Sequence, residues 1–403
     1  MATPADFFES VHCRSGANCK RCRNRVDDRP WRASIAKRFG IAGPDFDCPH
    51  GKPWNSQAAA VGDGSDFAGR ISLCIAACNE RAPSLALTLA SAFQGANHGV
   101  GKTGRTWRVP DELVIVDDAS TLLDRESIGD AVRPVRRFAP VVYEESYERL
   151  GTSAAKGRAA CLSTGDVLVV ADAHMIFPLE FWEHVASEVA RHGEMAVLNP
   201  GSVGFEWGGG VIGGGKLTWS SDHGCWDSTW RATSDPVSSI LGGCYVFPRA
   251  VYERIGGFSS AAYGYGSDEP DMSHRTWATG GRIVQIDGPP VRHNYNRPNW
   301  RGSTANWELA YNRFASALTN LSDKLLDEHT RPALARHPMR AAIEAKLAER
   351  SDAIAARREH LQRHRVITDD EIVRRFRLDA PWVSTGCGCG RASSAVEHQS
   401  KTY

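Results

Sequence analysis

The strongest constraint on this chain is a form that occurs three times: an apolar run of strand length that ends in carboxylates or other polar groups. It appears as Arg-Ile-Ser-Leu-Cys-Ile-Ala-Ala-Cys-Asn-Glu at 70–80, Asp-Glu-Leu-Val-Ile-Val-Asp-Asp-Ala-Ser at 111–120 and Asp-Val-Leu-Val-Val-Ala-Asp-Ala-His at 166–174. Short runs that are apolar without alternation read as strands buried on both faces. Helical patterns separate them. Leu85, Leu89 and Phe93 recur every fourth residue behind a Pro83-Ser84 start, and 152–164 is a stretch of small, helix-compatible residues. Strand and helix in alternation predict an α/β domain around a mostly parallel sheet. In such sheets ligands bind beyond the carboxyl ends of the strands, which is where all three runs put their polar residues.

The remainder of the chain divides by composition. Residues 1–60 are rich in Cys and Arg, 61–69 form a linker, 70–315 carry the α/β pattern, 316–380 read as a helical extension, and 381–403 are a Gly/Ser/Cys tail. A 42% hydrophobic content over 403 residues supports a sizeable core, and a net charge of +1 gives no global field for nucleic acid or membrane. No apolar run approaches the roughly 18 residues of a membrane helix, and the first residues lack a basic, signal-type leader. The expectation is a cytoplasmic protein. An odd count of eleven cysteines argues against a complete disulfide framework. Cys74, Cys78, Cys161 and Cys244 fall in core-like segments and read as small buried hydrophobes.

Four constellations can carry chemistry. In Asp172-Ala173-His174, residues two apart on an extended segment face the same side. A carboxylate and an imidazole there can grip one divalent cation, and the mixed oxygen–nitrogen set suits Mn²⁺; the alternative is a polar surface turn. Asp117 and Asp118 end an apolar strand, where a carboxylate can accept from a nucleoside, or simply begin a solvated loop. Leu-Gly-Gly-Cys at 241–244, Ile-Gly-Gly-Phe at 255–258 and Gly-Ser-Asp-Glu-Pro-Asp-Met-Ser-His-Arg at 266–275 combine glycines that admit a close ligand with acids before a helix. Asp268 or Glu269 can serve there as general base, or favour the helix start electrostatically. His293, after Val291-Arg292, can supply a third metal ligand.

In this order the motifs resemble the GT-A fold nucleotide-sugar transferases, glycosyltransferase family 2 and the polypeptide N-acetylgalactosaminyltransferases above all. Ile-Ala-Ala-Cys-Asn-Glu is similar to that fold's opening strand, Val-Ile-Val-Asp-Asp-Ala-Ser to its nucleotide-binding strand, and Asp172-Ala-His174 to its metal motif. The likeness spans about residues 70–300. It implies a UDP-sugar donor, contacted by Asn79, Glu80, Asp117 or Asp118, Arg158 and Asp172, and Mn²⁺ (or Mg²⁺) held by Asp172, His174 and His293. It places Gly242 and Gly243 on the acceptor side, where Trp207 and Trp226 can stack on the acceptor or anchor a loop. Two departures stand out. The family's Glu-Asp pair is reversed here as Asp268-Glu269. The carboxylate of Glu269 occupies a position where retaining polypeptide transferases carry an amide, which favours inversion with Glu269 as base and Asp268 as rival. No lectin domain is apparent.

In the flanks, Cys13, Cys19, Cys22 and Cys48 suggest a structural Zn²⁺ site, because a short, weakly apolar segment needs a metal to offset its ordering entropy. Arginines and lysines crowd that segment and form a local cationic patch. The acceptor stays open between protein or peptide, glycan and modified DNA. A zinc-containing scaffold with an inactive transferase fold is the reading of a different class.

Overall fold

A computed structural model describes residues 67–80, 82–97, 107–204, 211–231, 237–294 and 306–382. The three repeated runs form strands β1 (Ile71–Ala77), β2 (Glu112–Asp118) and β4 (Val167–Asp172), with β3 (Val141–Ser146) beyond β2. They pair in parallel in the order β3-β2-β1-β4. Side chains alternate between two cores. Leu73, Ile75, Leu113, Ile115, Val169 and Ala171 join one, while Cys74, Val114, Val116, Leu168 and Val170 join the other. Each fully buried aliphatic side chain contributes about 1.5–3 kcal/mol. Because both faces are apolar, the alternation alone does not set which face each residue takes; the helices settle it.

Helix α1 (Ala82–Ala92) buries Leu85 and Leu89, with Phe93 just beyond its end, in the first core. Helix α2 (Leu122–Val132) lies beside α1. On the opposite face, α3 (Thr152–Leu162) packs Ala155, Ala159 and Ala160 against the second core, small side chains that let the helix approach the strands closely. Helix α4 (Phe181–His192) returns to the first core through Phe181, Trp182 and Val185.

The second half of the sheet brings distant segments together. Strand β9 (Cys244–Pro248) runs antiparallel between β4 and β6 (Ala196–Gly204). Strand β10 (Arg282–His293) runs parallel to β6, and the two-residue β5 (Met175–Ile176) closes that edge antiparallel to β10. The eight-stranded sheet is therefore mostly parallel, as the sequence predicts. Outside it, β7 (Gly214–Ser220) and β8 (Cys225–Arg231) form an antiparallel hairpin. Helix α5 (Arg249–Arg254) follows β9 directly, and α6 (Asp268–Ala278) precedes β10.

Beyond the sheet come α7 (Asn306–Asn320), several short helical turns, α8 (Arg340–Glu349), α9 (Ser351–His364) and α10 (Asp369–Phe376). The expected boundary at 315 falls inside α7. Tyr311 and Phe314 of α7 pack with Ile343 of α8 and Ile354 of α9 in a third core, while Leu361, Ile372 and Val373 enter the second core directly. Among the described residues, no helix is long and apolar enough to cross a membrane.

Candidate active site

The polar ends of the strands converge. Asp172 closes β4, and its N–H donates to Gly243 O at 2.8 Å, which ties it to the turn before β9. His174 leads into β5. The β10–β5 pairing sets His293 opposite Met175, and Asn294 N–H donates to His174 O at 3.2 Å. Asp172 Oδ2 consequently lies 3.1 Å from His293 Nε2 and 3.9 Å from His174 Nε2. One ligand atom from each of the three lies within 4.8 Å of the others. The donor set of one carboxylate and two imidazoles fits a divalent cation of the Mn²⁺ type and leaves coordination positions for a ligand. Burial lowers the His293 pKa even though the Asp172 hydrogen bond opposes this, which favours the neutral imidazole that metal ligation requires. Behind His174, Glu80 is 1% exposed and its Oε2 lies 3.3 Å from Nδ1. A carboxylate behind an imidazole in this way orients the ring, as it does behind metal-ligating histidines.

A residue absent from the sequence expectations joins this cluster to the acids of α6. Lys156, on α3, is 3% exposed; its Nζ lies 3.1 Å from Asp172 Oδ1 and 3.5 Å from Asp268 Oδ2, over the ring of Tyr245. Burial pushes its pKa down, but the charges of Asp172, Asp268 and Glu269 more than reverse this, so it is a fixed cation. The same ammonium, followed by the His293 hydrogen bond, holds Asp172 well below the carboxylate range against the effect of burial. The available signal is one lysine among Ala154, Ala155 and Gly157 on a helix of mostly small residues.

Asp268 and Glu269 open α6 behind Ser267, which adopts a left-handed φ of +70°. Burial raises the Asp268 pKa, and Lys156 opposes the shift. Burial and then the charge of Asp268 raise Glu269 to about 7. Gly242 underlies Glu269: a methyl group at that position would collide with Glu269 Oε1. Gly243, at φ +98°, would bring a methyl to 3.1 Å from the His293 ring. Both expected glycines thus line the cluster.

Other expected residues have different surroundings. Asp117 is fully buried and accepts from Ser120 N at 3.1 Å, Arg125 Nε at 3.2 Å and Tyr143 OH at 3.3 Å. Asp118 accepts from Leu150 N and Gly151 N, and so holds the loop that starts α3. Asn79 Oδ1 accepts from Thr121 N at 2.8 Å and links the ends of β1 and β2. Arg158 is not drawn into the cluster; it makes a two-point contact with Glu144 at 2.7 and 2.9 Å and is about half exposed. Trp226 is 4% exposed, packed against Trp219 and Trp382, and anchors the β7–β8 hairpin instead of offering a face. Trp207, Cys13, Cys19, Cys22 and Cys48 lie outside the described residues, as does the Gly/Ser/Cys tail. The described cysteines are all free thiols.

A curled, mostly parallel sheet with an Asp-x-His pair at its carboxyl edge and helices at its end is the architecture of the GT-A class, the fold of nucleotide-sugar transferases. Residues 72–256 match the glycosyl transferase family 2 model, and 230–297 match that of the N-terminal domain of galactosyltransferase. The chain is 26% identical over 201 residues to bovine polypeptide N-acetylgalactosaminyltransferase 6, covering 45% of this chain and 32% of that protein. Human polypeptide N-acetylgalactosaminyltransferase 10 is 23% identical over 199 residues, covering 46% of this chain and 32% of that protein. The matches thus span about a third of the length of these relatives. A crystal structure of GalNAc-T7 with UDP, GalNAc and Mn²⁺ superposes with a TM-score of 0.55 at 17% identity, covering 76% of this chain and 56% of that one. By fold this chain is of the GT-A class, and by sequence its residues 72–256 are similar to the family 2 glycosyl transferases.

Proposed function

We propose that this protein is a metal-dependent glycosyltransferase that moves a sugar from a UDP-sugar to a nucleophilic acceptor with inversion at the anomeric carbon. The carrying observation is the convergence of Asp172, His174 and His293 within reach of one cation, joined through Lys156 to the acid pair of α6. Asp172, His174 and His293 would hold the cation, which when bound would supply Lewis-acid chemistry toward a departing diphosphate. Lys156 fixes one oxygen of Asp172 and leaves the other facing the two imidazoles. Glu269, poised near neutrality, accepts the acceptor's proton while the new glycosidic bond forms and the bond to the diphosphate breaks. Asp268 is engaged by Lys156, which leaves Glu269 as the base.

The likeness to polypeptide transferases supports a second, retaining reading, and the anomeric configuration of the product separates the two. Peptides, glycans and modified DNA are the acceptor classes to assay. The test begins with water as acceptor: UDP-glucose, UDP-galactose, UDP-N-acetylglucosamine and UDP-N-acetylgalactosamine, each with Mn²⁺, Mg²⁺ or EDTA. Metal-dependent release of UDP from one of them is the expected result. A protein inert to all four, with partner binding independent of metal, returns the chain to the scaffold class.

A further inference from the structure

The helices that follow the sheet reach the catalytic acids through buried polar contacts. Asp271, two residues after Glu269 in the first turn of α6, is 4% exposed. One of its oxygens receives Asn320 Nδ2 at 2.9 Å and Ser316 Oγ at 3.2 Å, both from α7; the other receives the Arg275 guanidinium. Asn320 is 3% exposed, and the end of α7 that carries it is held by α9, where Arg358 donates to Leu318 O and Leu321 O at 2.7 Å. Arg365, just after α9, donates to the Asn320 carbonyl. On the other side of the same turn, Ser273 Oγ donates to the Glu269 carbonyl and accepts from Ile240 N at 3.0 Å, two residues before Gly242. The first turn of α6 is thus gripped between the Gly-Gly turn and the end of α7.

We infer that Asn320 is a positioning residue for transfer: by fixing Asp271 it sets the first turn of α6 and with it the reach of Glu269. This rests on Glu269 acting as base. Small displacements of a reacting group are costly, up to about 100-fold for ~1 Å, whereas nothing in this network touches the metal triad.

The test uses the full chain, Mn²⁺ and whichever of the four UDP-sugars the wild type hydrolyses, with UDP binding measured by calorimetry. Asn320→Ala is expected to lower kcat about tenfold while the donor KM and the affinity for UDP with Mn²⁺ stay within about twofold, the signature of an interaction used in the transition state alone. Asp369→Asn, on α10 where it pairs with His274 of α6, is expected to lose thermal stability and to lower kcat less than Asn320→Ala does. Wild-type kcat in Asn320→Ala, or kcat and UDP affinity falling together, overturns the inference. If Asn320→Ala does not fold, Ser316→Ala is read by the same criteria with a smaller expected loss. Glu269→Gln is measured in parallel. A fully active Glu269→Gln removes the base assignment and this inference with it; an inactive one beside a fully active Asn320→Ala removes the positioning role alone.

Discussion

Lys156 Nζ sits 3.1 Å from Asp172 Oδ1 and 3.5 Å from Asp268 Oδ2, so one buried ammonium joins the metal-facing carboxylate to the acids of α6. The buried Asp268 and the partly buried Asp172 share this counter-charge, and the oxygen of Asp172 that Lys156 leaves free is the one facing His174 and His293.

Replacing this cation tests its place. Lys156→Met is expected to weaken Mn²⁺ about 10–100-fold, the usual cost of losing a group that orients a metal ligand. It is also expected to cost about 1–3 kcal/mol of stability, because the buried Asp268 and the partly buried Asp172 are then left without their counter-charge. Lys156→Arg restores part of both. Metal titration and denaturant unfolding read the two effects separately; unchanged Mn²⁺ affinity in Lys156→Met refutes the role.

The triad predicts a loss of metal without a loss of fold. Asp172→Asn and His293→Ala are each expected to abolish the Mn²⁺-dependent increase in thermal stability with UDP, while far-ultraviolet circular dichroism stays native. Calorimetric Mn²⁺ binding at wild-type strength in both variants would remove the metal site.

Glu269 gives a pH dependence of definite sign. A base works only when ionised, so kcat is expected to fall as pH drops through about 7, the value to which burial and Asp268 raise it. Glu269→Gln is expected to lose about 10²–10⁴-fold in kcat and the neutral inflection with it. The stability effect has the opposite sense. A carboxyl raised above its unfolded value favours the fold while protonated, and that contribution fades as pH rises from the ordinary carboxylate range through about 7. A kcat profile flat from pH 5 to 9 contradicts the assignment.

Asp369 of α10 and His274 of α6 form a buried pair at 2.6 Å. Burial raises the Asp369 pKa, but the hydrogen bond and charge of His274 outweigh it, and the net shift is downward. A depressed carboxylate contributes stability above its unfolded pKa, about 3.9, and loses it as pH falls through the folded value. Asp369→Asn is expected to cost about 1–3 kcal/mol near neutrality and to flatten the acid limb of the stability profile. Equal acid limbs in the two proteins would rule the linkage out.

Much of this was legible one residue at a time. Asp172, His174 and His293 could be named because their spacing and company suit a cation, and Leu85, Leu89 and Phe93 proved buried as their spacing predicts. Arg158 and Trp226 show the opposite case. Arginine on a small-residue helix and tryptophan in a Gly-rich stretch have the right chemistry for a ligand, but Glu144 holds the first and Trp219 and Trp382 enclose the second. Lys156 is not legible in the sequence because a lone lysine carries no local pattern.

The sequence by itself determined the repeated buried strands, the α/β class and the inventory of carboxylates, imidazoles and glycines, since periodicity and residue type act over a few neighbours. Tertiary structure alone decided which of those groups meet. Antiparallel β9 and the pairing of β10 with β5 place Gly243 and His293 beside Asp172, 121 residues apart in the case of the histidine. Reach, burial and the choice of counter-ion are properties of that three-dimensional neighbourhood, and no linear window contains them.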